Sequence, residues 1–259
     1  MNPLLQVRLS AGYPARPNIL RDASFELRPG EILGLVGESG SGKSTLALAI
    51  LRLIGYRGGS VSGEVRFQDR DLLALPEREL RRVRGREIGF IPQSPLTSLN
   101  PALRVGTHFN EAWAAHANGA LSQRRDRFLS LLDSVSLPAE DALLRRRPGE
   151  LSVGQAQRLL IAMSILHQPS LVIADEPTSA LDVVTQSDIL KLLARLNRDL
   201  NMAMLYISHD LLSVSSLCHR VAILHDGAVV ECAPTEQIFR APSHAYTRRL
   251  IEAIPKNPW

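Results

Sequence analysis

Residues 37–45 read GESGSGKST, the spacing G-x-x-x-x-G-K-[ST] that suits a chain built to hold phosphate. Gly37, Gly40 and Gly42 carry no Cβ, so the backbone N–H groups of Glu38, Ser39 and Ser41 can close around phosphate oxygens. Lys43 would reach the β- and γ-phosphates, Ser44 would ligate Mg²⁺, and Thr45 continues the first turn of a helix whose N-terminal dipole also favours anions. A flexible Gly/Ser turn is the plain alternative, and the flanking apolar strand and helix argue against it. A second constellation, residues 171–176 (LVIADE), is an apolar run ending in two carboxylates. Asp175 would hold Mg²⁺ through water, and Glu176 would orient and polarise an attacking water as general base. On its own such a run is more often a strand entering a surface turn. Beside a phosphate loop it is a catalytic candidate.

These residues need strand ends and helix starts to position them. In the first segment LLQVRL and then ASFELRPGEILGLV alternate apolar and polar positions in an antiparallel β pattern, with Pro29-Gly30 as a turn, and Glu31 to Val36 read as a buried strand entering the phosphate loop. A helix-like run, TLALAILRLI, follows. EVRFQDRDL predicts a short strand and turn, and EIGFI a strand closed by Pro92. Residues 95–164 change to helical character, through NPALRV, FNEAWAAHA and RRDRFLSLLDSV, and are expected to form an inserted helical lobe. The β/α alternation then resumes with LVIAD, the amphipathic VVTQSDILKLLARLNRDL, MAMLYIS, a hairpin turned at Asp226-Gly227 and a final helix over YTRRLIEAI.

The composition, 45% hydrophobic and 22% charged, supports a packed core and fits one large domain with a lobe. A formal charge of +4 does not call for nucleic acid, and none is expected as a partner. The N-terminus carries no secretory pattern. The most apolar windows are broken by Arg52, His167 and Asp175, so membrane contact is expected only through a partner. Cys218 and Cys232 lack metal-ligand spacing and read as reduced, structural thiols.

Three further stretches, ELSVGQAQR (150–158), DEPTSALD (175–182) and YISHD (206–210), taken with the phosphate loop, resemble the ABC ATPases over essentially the whole chain. The resemblance implies an α/β fold: a P-loop NTPase (RecA-like) core with an antiparallel β subdomain, over about 1–94 and 165–259, and a helical signature subdomain over 95–164. It implies a head-to-tail dimer with a second ABC ATPase, either a sister chain or a second copy, in which Ser152, Gly154 and Gln155 of one subunit face the γ-phosphate held by the other. It further implies that Gln93 senses Mg²⁺ and the attacking water, His209 contacts the γ-phosphate, Asp182 lies in a loop crossing the dimer interface, and Tyr13 stacks on adenine. Each has a plain alternative: Tyr13 as a surface aromatic, His209 as a capping histidine, Gln93 as a loop amide.

One position departs from the family. Val153 stands where the signature Leu-Ser-Gly-Gly-Gln has its first glycine. A β-branched side chain there would forbid a positive φ or crowd the partner's phosphate, or else be neutral; it leaves Lys43, Asp175 and Glu176 untouched. SPLTSLNPALRVG (94–106) and APSHAYTRRLIEAIP (241–255) look like the oligopeptide, dipeptide and nickel importer ATPases. That branch implies two membrane-spanning permeases, an extracytoplasmic substrate-binding protein and a peripheral seat on the cytoplasmic face of the inner membrane. Many of its members hold an iron–sulfur cluster in a cysteine-containing tail; no such cysteines precede Trp259, and no cluster is expected. An ATPase of phosphonate breakdown is the alternative within the branch, and a soluble ABC ATPase outside transport ranks below it, since such a protein is expected to carry two cassettes or a long coiled-coil insertion and neither is visible. A small-molecule kinase would use the phosphate loop but leave the other motifs unexplained.

Overall fold

The computed structural model describes residues 2–117 and 121–254; Pro255 and Trp259, which end two of the sequence expectations, lie outside them. The strands in chain order are β1 (Leu5–Tyr13), β2 (Arg16–Leu27), β3 (Ile32–Val36), β4 (Ser60–Phe67), β5 (Arg70–Asp71), β6 (Ile88–Ile91), β7 (Leu171–Asp175), β8 (Ala203–Ser208), β9 (Arg220–His225) and β10 (Ala228–Pro234). The chain divides into two compact units, Met1–Glu77 with Ala203–Trp259, and Arg78–Met202.

In the first unit, β1 pairs antiparallel with β2 and β4, and β5 extends the sheet in the order β2-β1-β4-β5. The period of two is visible in burial: Leu5, Val7 and Leu9 are buried while Arg8 points out to Asp22. The β1–β2 hairpin turns at Pro14-Ala15, with Tyr13 opposite Arg16. Sequence reading missed this turn, because it lacks the glycine or asparagine that usually marks one. Pro29-Gly30 does turn the chain, with Gly30 at φ 68°, but it carries it out of β2 into a different sheet, so the antiparallel pairing expected across this turn does not form. All five residues of β3 are buried, and β3 lies parallel to both β8 and β9, as a continuous apolar run requires. β10 folds back antiparallel on β9 through Asp226-Gly227, as expected.

The helix after the phosphate loop is shorter than its sequence suggests. It spans Lys43–Ile50, and Arg52 takes a left-handed φ of 51°. Leu53 N–H then donates to the Leu48 carbonyl at 2.7 Å, the six-to-one bond that closes a helix. The periodic leucines beyond this point belong to a turn and a short 3₁₀ segment, Ile54–Arg57.

In the second unit, β6 and β7 pair in parallel, Ile91 opposite Ala174. Between them run the helices Pro95–Ser98, Val105–Ala114, Leu121–Ser134, Asp141–Arg145 and Val153–Ser164, packed in part by the stacked rings of Phe109 and Phe128. Residues 100–104 were expected to be helical and are not. The Asn100 side chain accepts from Ala102 N–H and its carbonyl from Leu103 N–H, so an Asn-Pro turn takes the backbone bonds a helix would use. Helix Val183–Leu200 matches its sequence pattern to the residue, burying Ile189, Leu192, Leu193 and Leu196 on one face. Asp182 caps its start and Asn201, at φ 47°, ends it. No helix among the described residues is long and apolar enough to cross a membrane.

Candidate functional site

The phosphate loop leaves the C-terminal end of β3, where ligands of parallel sheets bind. Its shape depends on two glycines. A Cβ on Gly37 would stand 2.4 Å from the Leu224 carbonyl oxygen of β9 and 2.8 Å from Ser41 Oγ. Gly42, the N-cap of the following helix, holds φ 104° with a Cβ position 2.9 Å from Ile19 Cγ2, so a side chain there would be both strained and crowded. Lys43 is 95% buried, and its Nζ donates to the Gly37 carbonyl at 2.8 Å and the Glu38 carbonyl at 2.9 Å, holding the ammonium across the loop. The Ser41 hydroxyl is buried and has no hydrogen-bond partner among the described residues. A buried polar atom left unpaired is costly unless a ligand completes it. Ser44 and Thr45 lie half-buried in the first turn of the helix.

A groove of about 460 Å³ opens beside the loop, lined by Arg16, Asn18, Arg21, Glu38 to Ser41, and Asp226 among others. Tyr13 stands half-buried at the hairpin tip and is not among the groove's lining residues. His209 directly follows Ser208, whose register partner is Val36, the last residue before the phosphate loop, so His209 leaves the same sheet edge. It does not cap the next helix. Asp210 does, accepting from Leu212 N–H at 3.0 Å and Ser213 N–H at 3.2 Å, so the plain alternative for His209 falls away.

The second unit carries the carboxylates. Asp175 ends β7 and is 6% exposed. Glu176 takes a left-handed φ of 46°, sparsely populated for a residue with a Cβ, a kind of strain found at functional positions. Its Oε2 accepts a 2.9 Å hydrogen bond from Nε2 of Gln93, two residues beyond the end of β6. The parallel register of β6 and β7 brings the pair together, so Gln93 is no idle loop amide.

The signature residues are organised as a helix cap. Ser152 is the N-cap of Val153–Ser164: Gln155 N–H donates to Ser152 Oγ at 3.2 Å, and Ser152 N–H donates to Gln155 Oε1 at 3.0 Å. Val153 is the first helical residue and has no positive φ, so the backbone strain expected of it does not arise; the question of crowding concerns the side chain alone. A Cβ on Gly154 would lie 2.9 Å from Cγ2 of Thr185. Thr185 in turn donates to Asp182 from its N–H at 3.0 Å and from its hydroxyl at 2.7 Å, and these bonds hold the Asp182 carboxyl below the usual carboxylate range. The signature and the DEPTSALD segment therefore meet through Thr185, a residue no motif singled out. Sequence reading also missed the ring stack of His225 on Tyr246, centroids 3.6 Å apart. Burial pushes the Cys218 thiol far up, in keeping with an inert structural cysteine.

A glycine-cradled loop at the end of a parallel strand, with a buried lysine across it, defines a nucleotide-binding cassette of the α/β class. The comparisons with known proteins agree. Residues 20–179 match the family model described as "ABC transporter", and residues 230–259 match "Oligopeptide/dipeptide transporter, C-terminal region". The dipeptide transport ATP-binding protein DppD of Escherichia coli is 43% identical over 90% of this chain and 71% of its own length. A peptidoglycan transport ATP-binding protein, YejF, of Agrobacterium fabrum is 45% identical over 98% of this chain, which spans 47% of that protein. Among solved structures, the ATP-binding cassette MJ0796 bound to ADP and Pi, a dimeric post-hydrolysis state, superposes with a TM-score of 0.75 at 28% identity, covering 89% of this chain and 98% of that one. This chain belongs to the ABC transporter family.

Proposed function

We propose that this chain is the ATP-binding and ATP-hydrolysing subunit of an importer that takes up di- or oligopeptides, or nickel, across the cytoplasmic membrane. The observation that carries the nucleotide half is the phosphate loop itself: Lys43 held across carbonyls 37 and 38 over the partnerless Ser41 hydroxyl is a seat suited to a polyphosphate. The C-terminal match at residues 230–259 and relatives such as DppD support the peptide half.

In this reading, Gly37 to Thr45 bind the phosphates, with Lys43 neutralising charge in ground and transition states alike. Ser44, Gln93 and Asp175 are the residues that would hold Mg²⁺, which when bound neutralises charge between the β- and γ-phosphates. Glu176, fixed by its hydrogen bond from Gln93, orients the attacking water and draws its proton, while His209 contacts the γ-phosphate and Tyr13 the adenine. Ser152, Gly154 and Gln155 serve the nucleotide of a second ATPase in a head-to-tail pair, and Asp182 lies along that interface. The chain works with two permeases at the cytoplasmic side of the membrane, and an extracytoplasmic binding protein delivers the cargo.

The test is reconstitution of this chain with a sister ATPase and the permeases in liposomes, following uptake of labelled di- and oligopeptides and of nickel. ATP-dependent accumulation of one of these cargoes is the expected result. ATP turnover with no accumulation of any would refute the import half.

A further inference from the structure

A carboxylate in a phosphate loop is an electrostatic problem. Glu38 stands between Gly37 and Ser39 and is exposed, so a phosphate seated in the loop has a like charge nearby. Directly beside the loop is Tyr246, from the short C-terminal helix Ala245–Glu252. Tyr246 is 4% exposed, and its ring stacks on His225, which lines the groove that Glu38 also lines. Its position is fixed from behind. The His244 ring caps the helix by accepting from Tyr246 N–H, and the Glu231 carboxylate accepts from Ser243 N–H at 2.7 Å and His244 N–H at 3.0 Å. The Tyr246 hydroxyl is buried without a well-formed hydrogen bond among the described residues, while Glu38 lies close enough for its charge to add to burial in raising the phenol's pKa.

We infer, resting on the nucleotide reading above, that Tyr246 is a positioning residue for the phosphate loop: its hydroxyl donates to the Glu38 carboxylate and holds that charge off the phosphates. In the chain alone the contact between this hydroxyl and Glu38 falls short of a well-formed hydrogen bond and costs stability; it tightens when an incoming anion drives Glu38 onto it. The segment that matches the peptide-transporter C-terminal model thereby reaches the nucleotide seat.

The experiment measures affinity for a fluorescent ATP analogue and melting temperature on the full chain, for wild type, Tyr246→Phe, Glu38→Gln, the double variant and Lys43→Ala. Tyr246→Phe should melt no lower than wild type, since it removes a buried hydroxyl that lacks a well-formed hydrogen bond, yet bind the analogue about tenfold more weakly. In the Glu38→Gln background the same change should have less than about a twofold effect, because no charge remains to restrain. A packing role alone would lower melting temperature and ignore residue 38. Unchanged affinity in Tyr246→Phe, or an equal loss in both backgrounds, overturns the inference. Lys43→Ala separates the two readings: if it abolishes binding while Tyr246→Phe is silent, only the Tyr246 role fails, whereas a wild type that binds no analogue sinks the nucleotide reading itself.

Discussion

Glu176 and Lys43 both serve charge, yet the chemistry asks different things of them. In the proposed reading the Glu176 carboxylate, which has φ 46° and is held by Gln93, acts on water and not on phosphate. Glu176→Gln should therefore keep nucleotide affinity within about twofold and cut turnover by a factor on the order of 10² to 10⁴. Equilibrium binding and single-turnover hydrolysis read the two quantities separately, and parallel loss of both would remove the residue from its assigned role. Lys43→Ala should do the reverse, weakening the bound ground state by about tenfold or more, since its ammonium already spans the loop. An unaltered dissociation constant would show that the loop does not hold phosphate.

Among the elements, the contact that limits the signature region is the one between Gly154 and Thr185. Gly154→Ala puts a methyl 2.9 Å from Cγ2 of Thr185 and should destabilise by roughly 1–3 kcal/mol, as overpacking does. Thr185→Ser removes the opposing methyl but keeps the hydroxyl bond to Asp182, so the double variant should recover most of the loss. Thermal denaturation of the three variants checks this; additive losses would mean the two residues do not compete for the same space. The pair also shows where sequence reading stops. The bounds of helix Val183–Leu200 were legible because a capping aspartate, a 3.6-residue apolar stripe and a closing asparagine agree with one another. The phosphate loop was legible because glycine and lysine spacing is itself the mechanism. Residues 100–104 misled because their helical propensity is overridden by an Asn-Pro turn, and the helix after the phosphate loop ends early through a backbone bond that no residue type announces. Thr185, His225 and Tyr246 carry no motif, and only the folded chain brings them against Gly154 and the phosphate loop.

For the whole molecule, the proposed pairing, in which the signature residues serve another chain's nucleotide, would make activity a property of an assembly. The purified chain alone should turn over ATP slowly, with a rate per chain that rises with protein concentration or on adding a sister ATPase. Full activity independent of dilution would contradict the composite site. A different consequence follows from the neighbours of β3. Its parallel partners are residues 204–208 and 220–223, so during synthesis this apolar strand waits until residues 204–223 have left the ribosome. At about 5–20 residues per second the delay is on the order of 10 to 40 s. Throughout it, β3 has an unpaired edge on either side. Nascent chains halted before residue 203 should be captured by chaperones or aggregate, and extension past residue 223 should rescue them. The nucleotide seat is thus translated well before it can become a structure.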